Sequence, residues 1–168
     1  GNVADLDFGG VVSRCKCVVL VCVKLDLIAD MTWFEIQAMS GNINVPAAAR
    51  SSVPFFRVWC LVELQAARTA SVPIIMQGGG RDVNSVWPAI KFVPSYDMLA
   101  KMEYLVSVEQ ADATVEADKI RILQDVRLSP GGAPALNRSV QASIVAARLS
   151  HAYPTVKQAA VGNVIALS

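Results

Sequence analysis

The apolar positions of this chain change period along its length, and those changes outline alternating strands and helices. Cys17-Val18-Val19-Leu20-Val21-Cys22-Val23 is an unbroken apolar run of strand length. A run without polar alternation predicts a strand covered on both faces, as in a parallel sheet. Pro54 stands ahead of a dense helical pattern from about Phe55 to Ala70, and proline favours the first turn of a helix. Ser71-Val72-Pro73 then leads into Ile74-Ile75-Met76, a short buried strand. Strand, helix and strand in that order predict a βαβ unit. Gly78-Gly79-Gly80 lacks the spacing of a dinucleotide or phosphate loop and predicts a flexible turn after the second strand.

The flanking segments are less regular. Asp7 to Arg14 predicts the tail of a helix, and Met31 to Met39 one short helix ahead of the turn-rich Ser40 to Pro46, so that residues 26–53 read as an insertion. Asp82 to Tyr96 reads as loop, followed by a short helix over Met98 to Met102 and a short strand over Tyr104 to Val108. Thr114 is placed to cap a helix from Val115 to Leu128, whose Val115, Lys119, Ile122 and Val126 share a face. Ser129-Pro130-Gly131-Gly132 stops it, and Pro134 opens another helix with Leu136, Val140, Ile144 and Ala147 at helical spacing as far as Leu149. The two predict a helical hairpin. Residues 151–168 form a tail with an apolar end, Val164-Ile165-Ala166-Leu167, suited to docking.

Within the helix after Pro54 lies one carboxylate, Glu63. At roughly 100° per residue its neighbours one turn away are Trp59, Cys60, Ala66 and Ala67, while Arg57 and Arg68 fall on other sides of the cylinder. No basic side chain at helical spacing pairs with it. Three readings follow: a partner distant in sequence, a pKa raised by desolvation, or a place at the edge of the buried stripe.

Composition narrows the function classes. Of the 168 residues, 54% are hydrophobic and 17% charged, against a charged share of about a quarter in typical domains. That implies surface buried against another molecule. The formal net charge is +1 and the basic residues are scattered, which leaves no electrostatic footprint for nucleic acid or an anionic membrane surface. No apolar run approaches the ~20 residues of a membrane span. Cys15-Lys16-Cys17 lacks the gap of a zinc knuckle, and the single histidine, His151, is distant, so Cys15, Cys17, Cys22 and Cys60 read as reduced cysteines and no metal site is expected. Asp112, Glu116 and Asp118 read as a solvated helix start. Trp33, Trp59 and Trp87 read as core or interface anchors, since no basic run accompanies them as it would on a nucleic-acid stacking platform. The chain opens at Gly1, which leaves room for a targeting segment ahead of it; the compartment is therefore open, between the cytoplasm and, if such a segment preceded, an organelle.

The string Phe56-Arg57-Val58-Trp59-Cys60-Leu61-Val62-Glu63-Leu64, followed by Val72-Pro73-Ile74-Ile75, resembles the third helix and fourth strand of Toll/interleukin-1 receptor (TIR) domains, the plant form above all. Cys15 to Cys22 is similar to their third strand. Val106 to Leu123 and Gly131-Gly132-Ala133-Pro134-Ala135-Leu136-Asn137 resemble a divergent TIR-like family of algae and other protists. The resemblance spans most of Asp7 to Arg148. It implies an α/β, flavodoxin-like parallel sheet flanked by helices, here without the first strands, over residues 1–150, with the hairpin and tail appended.

The same resemblance implies two roles for such domains, homotypic protein interaction and, in some, cleavage of NAD with a glutamate that maps onto Glu63. The early strands that help to form the nucleotide pocket have no counterpart in this chain, and the link from the first strand to the helix, Lys24 to Val53, replaces a short serine-bearing loop. The expectation is therefore a non-catalytic interaction or structural module without a cofactor, a subunit of a larger assembly. Its expected contact residues are Phe55, Phe56, Trp59, Trp33, Trp87, Ile165 and Leu167. Two alternatives stand beside it: an accessory subunit held peripherally on an organellar photosynthetic or respiratory membrane complex, and an NAD glycohydrolase with Glu63 as its catalytic carboxylate.

Overall fold

The computed structural model describes residues 7–23, 28, 30–39, 45–81, 92–94, 96–152 and 164–166. Over these the chain is a mixed α/β structure. Asp7 caps the short α1 (Phe8–Val12) by accepting from the Gly10 amide at 2.8 Å. Strand β1 (Val18–Val23) follows. Thr32 and Glu35 start α2 (Trp33–Ala38) with a capping box, in which each side chain accepts from the other's amide. Then come α3 (Ala47–Ser52), a single 3₁₀ turn at Pro54–Phe56, and α4 (Val58–Thr69). The rest comprises β2 (Ile74–Arg81), β3 (Phe92–Pro94), α5 (Tyr96–Leu105), α6 (Glu116–Leu128), α7 (Gly132–Ala152) and β4 (Val164–Ala166).

Strand β2 is the centre of the sheet. On one side it pairs with β1 in parallel, from Val18 opposite Ile74 to Val23 opposite Gly79. On its other side β4 pairs in parallel with its start, Ile75 opposite Ile165, and β3 pairs antiparallel with its end, Gly80 opposite Val93. The sheet is therefore mixed and not purely parallel. The βαβ unit is present, with α4 between β1 and β2. The apolar end of the tail docks on the sheet of its own chain, through the backbone of residues 164–166.

Several local expectations are corrected. The triple glycine is strand and not turn, because Gly79 is paired to β1 on one side and β3 on the other, so the ladder holds what the side chains do not. Tyr104 and Leu105 end helix α5 in place of starting a strand; a short, mostly apolar stretch does not by itself tell a buried helix from a strand. Thr114 caps nothing: its hydroxyl accepts from Arg57 Nη2 at 2.6 Å, and α6 begins without a side-chain cap. The helix after Pro54 begins at Val58, because Arg57 adopts extended backbone and bridges Asp112.

That bridge joins the start of α4 to the segment before α6. Val58 N–H donates to the Asp112 carbonyl at 3.0 Å, and Asp112 N–H to that of Phe56 at 2.7 Å. The Asp112 carboxylate accepts from Arg50 Nη2 at 2.6 Å with Lys119 Nζ at 3.7 Å. At its far end α4 closes in a Schellman motif, with Val72 N–H donating to the Ala67 carbonyl at 2.8 Å and Ser71 in the left-handed region at φ 56. The hairpin of α6 and α7 is observed, turning through Gly131 and Gly132 at positive φ. Arg68 ties α4 to α7 by donating to Ser139 O and Ser143 Oγ, and Arg148 ties α7 to α5 through Glu103. One apolar core runs through these elements, including Leu20 and Cys22 of β1, Phe55, Phe56, Leu61 and Leu64, Ile74 and Met76 of β2, Met98 and Met102 of α5, Ile122 of α6, and Val140 and Ile144 of α7.

Candidate functional site

Helix α4 presents its core stripe through Val58, Leu61, Leu64 and Ala67, all fully buried. The rest of its surface is not open either: from Val58 to Ala67 every residue is buried or partly buried, with α1 packed on it as well as the helical hairpin. Glu63 therefore sits on a flank that neighbouring elements shield in part. Among the described residues it makes no hydrogen bond or ion pair, and desolvation pushes its carboxyl above the ordinary carboxylate range. Of the three readings open at the sequence, a distant donor is not what the described residues provide, and desolvation is.

Cys60 lies one turn before Glu63 on the same flank. Burial raises its thiol, the Glu63 charge raises it further, and Arg57 opposes in part. Cys22, in the core beneath β1, is pushed up to about 12 by burial. Both thiols are neutral near pH 7, which removes the nucleophilic thiolate form. Cys15 and Cys17 are exposed, and among the described residues no group of three or more metal-ligating side chains converges.

The expected contact residues separate into distinct environments. Phe55 and Phe56, in the 3₁₀ turn, are fully buried, so they fill the core and present no surface to a partner. Trp59 is partly buried against the core. Trp33 lies at a surface, 42% exposed on α2, with its ring edge-on to Tyr104 of α5 at 5.8 Å between centroids. Ile165 occupies the middle of β4, in register with Ile75. Trp87 and Leu167 lie outside the described residues.

Two surface features were not singled out by sequence. Phe34, next to Trp33, is 82% exposed; on a six-residue helix anchored by buried Ile36, adjacent aromatics cannot both face inward. More telling is β1. Leu20 and Cys22 are buried, but Val19 and Val21, on its other face, are 53% and 46% exposed. The expectation of a strand covered on both faces is corrected: β1 is covered on one, and among the described residues it pairs along one edge only.

The other flank of α4 borders a cavity of about 340 Å³, lined by Val62 and Ala66 with Gln65, by Ile122 and Val126 of α6, and by Leu136 of α7. Glu63 is not among its lining residues. Comparison with protein-family profiles, with characterised proteins and with solved structures finds no match for this chain. Among the described residues no helix is long and apolar enough to cross a membrane.

Proposed function

We propose that this chain is a non-catalytic protein-interaction module, a subunit of a larger assembly, built on a flavodoxin-like sheet of the TIR type. The observation that carries the proposal is the outer face of β1. A parallel strand pair is ordinarily covered on both sides, yet here Val19 and Val21 of the outermost described strand are half exposed while their neighbours Leu20 and Cys22 are buried. No charged residue interrupts Val18–Val23, so the strand lacks the lysines and prolines that blunt a free edge. A partner that adds a strand to that edge would satisfy its backbone groups, and the part of it that packs on the sheet face would cover the valines. The low charged fraction agrees with such burial.

The test is the solution mass of the purified chain together with that of Val19→Lys/Val21→Lys. The expected result is self-association of the parent that rises with concentration, abolished in the double variant while its thermal unfolding stays put. A parent that sediments as a monodisperse monomer over the whole concentration range overturns the reading.

One observation favours a second reading, an NAD glycohydrolase. Among the described residues Glu63 makes no hydrogen bond or ion pair, and desolvation raises its carboxyl pKa, the direction that general acid–base work uses. Nicotinamide release from NAD that disappears in Glu63→Ala would support it; no release, or equal release from the variant, removes it.

A further inference from the structure

We infer that the cavity between α4 and the hairpin is a binding site for a small apolar molecule of about two fused rings that carries an N–H donor. This goes beyond the proposed interaction role and does not depend on it.

Size comes first. An apolar cavity of about 150 Å³ accepts a benzene ring; this one, at about 340 Å³, has room for roughly twice that and falls within the range of small-molecule sites. Its walls come from four helices. Val62 and Ala66 of α4 face Ile122 and Val126 of α6 and Leu136 of α7, with Gly9 of α1 closing one side. These side chains offer dispersion contacts and nothing to an ionic group.

Polarity comes second, and its unsatisfied part is an acceptor. Gln65 lines the cavity, and its amide oxygen is buried without a hydrogen-bond partner. An unsatisfied buried acceptor carries a desolvation penalty, and the last side-chain torsion of glutamine is soft, so a donor-bearing ligand that draws the amide toward the cavity would relieve it. The one ionisable side chain in the lining is Asp125, exposed and again an acceptor. No lysine, arginine or histidine lines it. The site accepts hydrogen bonds and supplies no cation, which selects a donor-bearing ligand and disfavours carboxylates and phosphates. The turn that frames the cavity is fixed: Gly131 has φ 79, and a Cβ there would lie 2.7 Å from that of Ala135, itself a lining residue.

Indole and benzothiophene serve as probes, since they match in shape and differ in the N–H. Each is titrated into the full chain while methyl NMR signals are followed. Indole is expected to bind saturably in the millimolar range or tighter, with shifts centred on Val62, Ala66, Ile122 and Leu136, and about tenfold more tightly than benzothiophene, the worth of one recovered hydrogen bond. Gln65→Leu is expected to bring the two probes to equal affinity, and Ala66→Phe, which fills the cavity, to abolish both. Core methyl signals distant from the cavity report whether each variant is folded; if Gln65→Leu is not, Gln65→Met takes its place, and the parent's own preference between the probes is decisive in any case. Absence of saturable binding, shifts centred elsewhere, equal affinity of the two probes in the parent, or a preference that survives loss of the amide overturns the inference.

Discussion

The two faces of strand β1 are built from nearly the same chemistry and meet opposite environments. Leu20 and Cys22 join the core that the helices fill, while Val19 and Val21, alternating with them, stay half exposed. A strand points successive side chains to opposite faces, so the contrast is a property of what lies above and below the sheet and not of the residues. It teaches that an unbroken apolar run marks two faces that avoid water, without saying that one polypeptide covers both. The inner face is covered by its own chain. The outer face is left half exposed, and the proposed partner would cover it.

The largest test of that contrast is a matched pair of truncations. Leu20→Ala removes side-chain carbons from a packed core, for which about 2–3 kcal/mol of stability is expected to be lost. Val21→Ala deletes methyls that are already half in water, and its loss is expected to stay within roughly 0.5 kcal/mol. Urea unfolding of the dilute chain, with unchanged denaturant dependence, measures both. Equal losses would mean that the outer face is packed in the free protein and would break the comparison.

The hairpin on the covered side can be probed through its turn. Gly131 combines a left-handed backbone, φ 79, with a Cβ position that would crowd Ala135 Cβ at 2.7 Å. Gly131→Ala is therefore expected to cost about 1–3 kcal/mol, the usual range for a non-glycine residue forced into that region with a steric contact added. A change at Gly9, which has φ in the ordinary range and whose added Cβ would meet only Asp7 Oδ1 at 3.8 Å, is the control. Thermal unfolding read by circular dichroism separates the two.

The parts of this fold legible in the sequence are those whose residues act locally. The strand Val18–Val23, the helix after Pro54, the short strand at Ile74 and the hairpin stopped by Ser129-Pro130-Gly131-Gly132 each carry their own period or breaker, and each is present. What was hidden depends on distant pairing. Gly78-Gly79-Gly80 reads as a turn until strands on both sides fix it. Thr114 reads as a cap until Arg57, far away in sequence, takes its hydroxyl. Phe55 and Phe56 look like contact residues on a helix, but both are fully buried, in a 3₁₀ turn just ahead of the Arg57–Asp112 bridge. The shielded position of Glu63 was half legible: helical spacing showed that no local cation could pair with it, while the packing of α1 on α4 could not be seen. The cavity was not legible at all, since it is framed by four helices whose relative placement no local pattern encodes.

Glu63 sharpens the comparison from within the covered region, and its effect is the smallest. Desolvation raises its folded-state pKa above the ordinary value, so the folded protein holds this proton more tightly than the unfolded chain does. The contribution is thus fully present at pH below the ordinary glutamate range, and is lost as pH rises through the raised folded-state value. Glu63→Gln keeps shape and hydrogen-bonding groups but cannot ionise. Against the parent, it is expected to be equally stable near pH 4 and modestly more stable at pH 7, a difference that opens across the window just above the normal carboxylate range. Paired urea titrations at the two pH values measure it. A variant less stable than the parent at pH 7 would show that the ionised carboxylate is held by a favourable partner, and the flank of α4 would then have to be regrouped with surfaces completed by something else, as proposed for the outer face of β1.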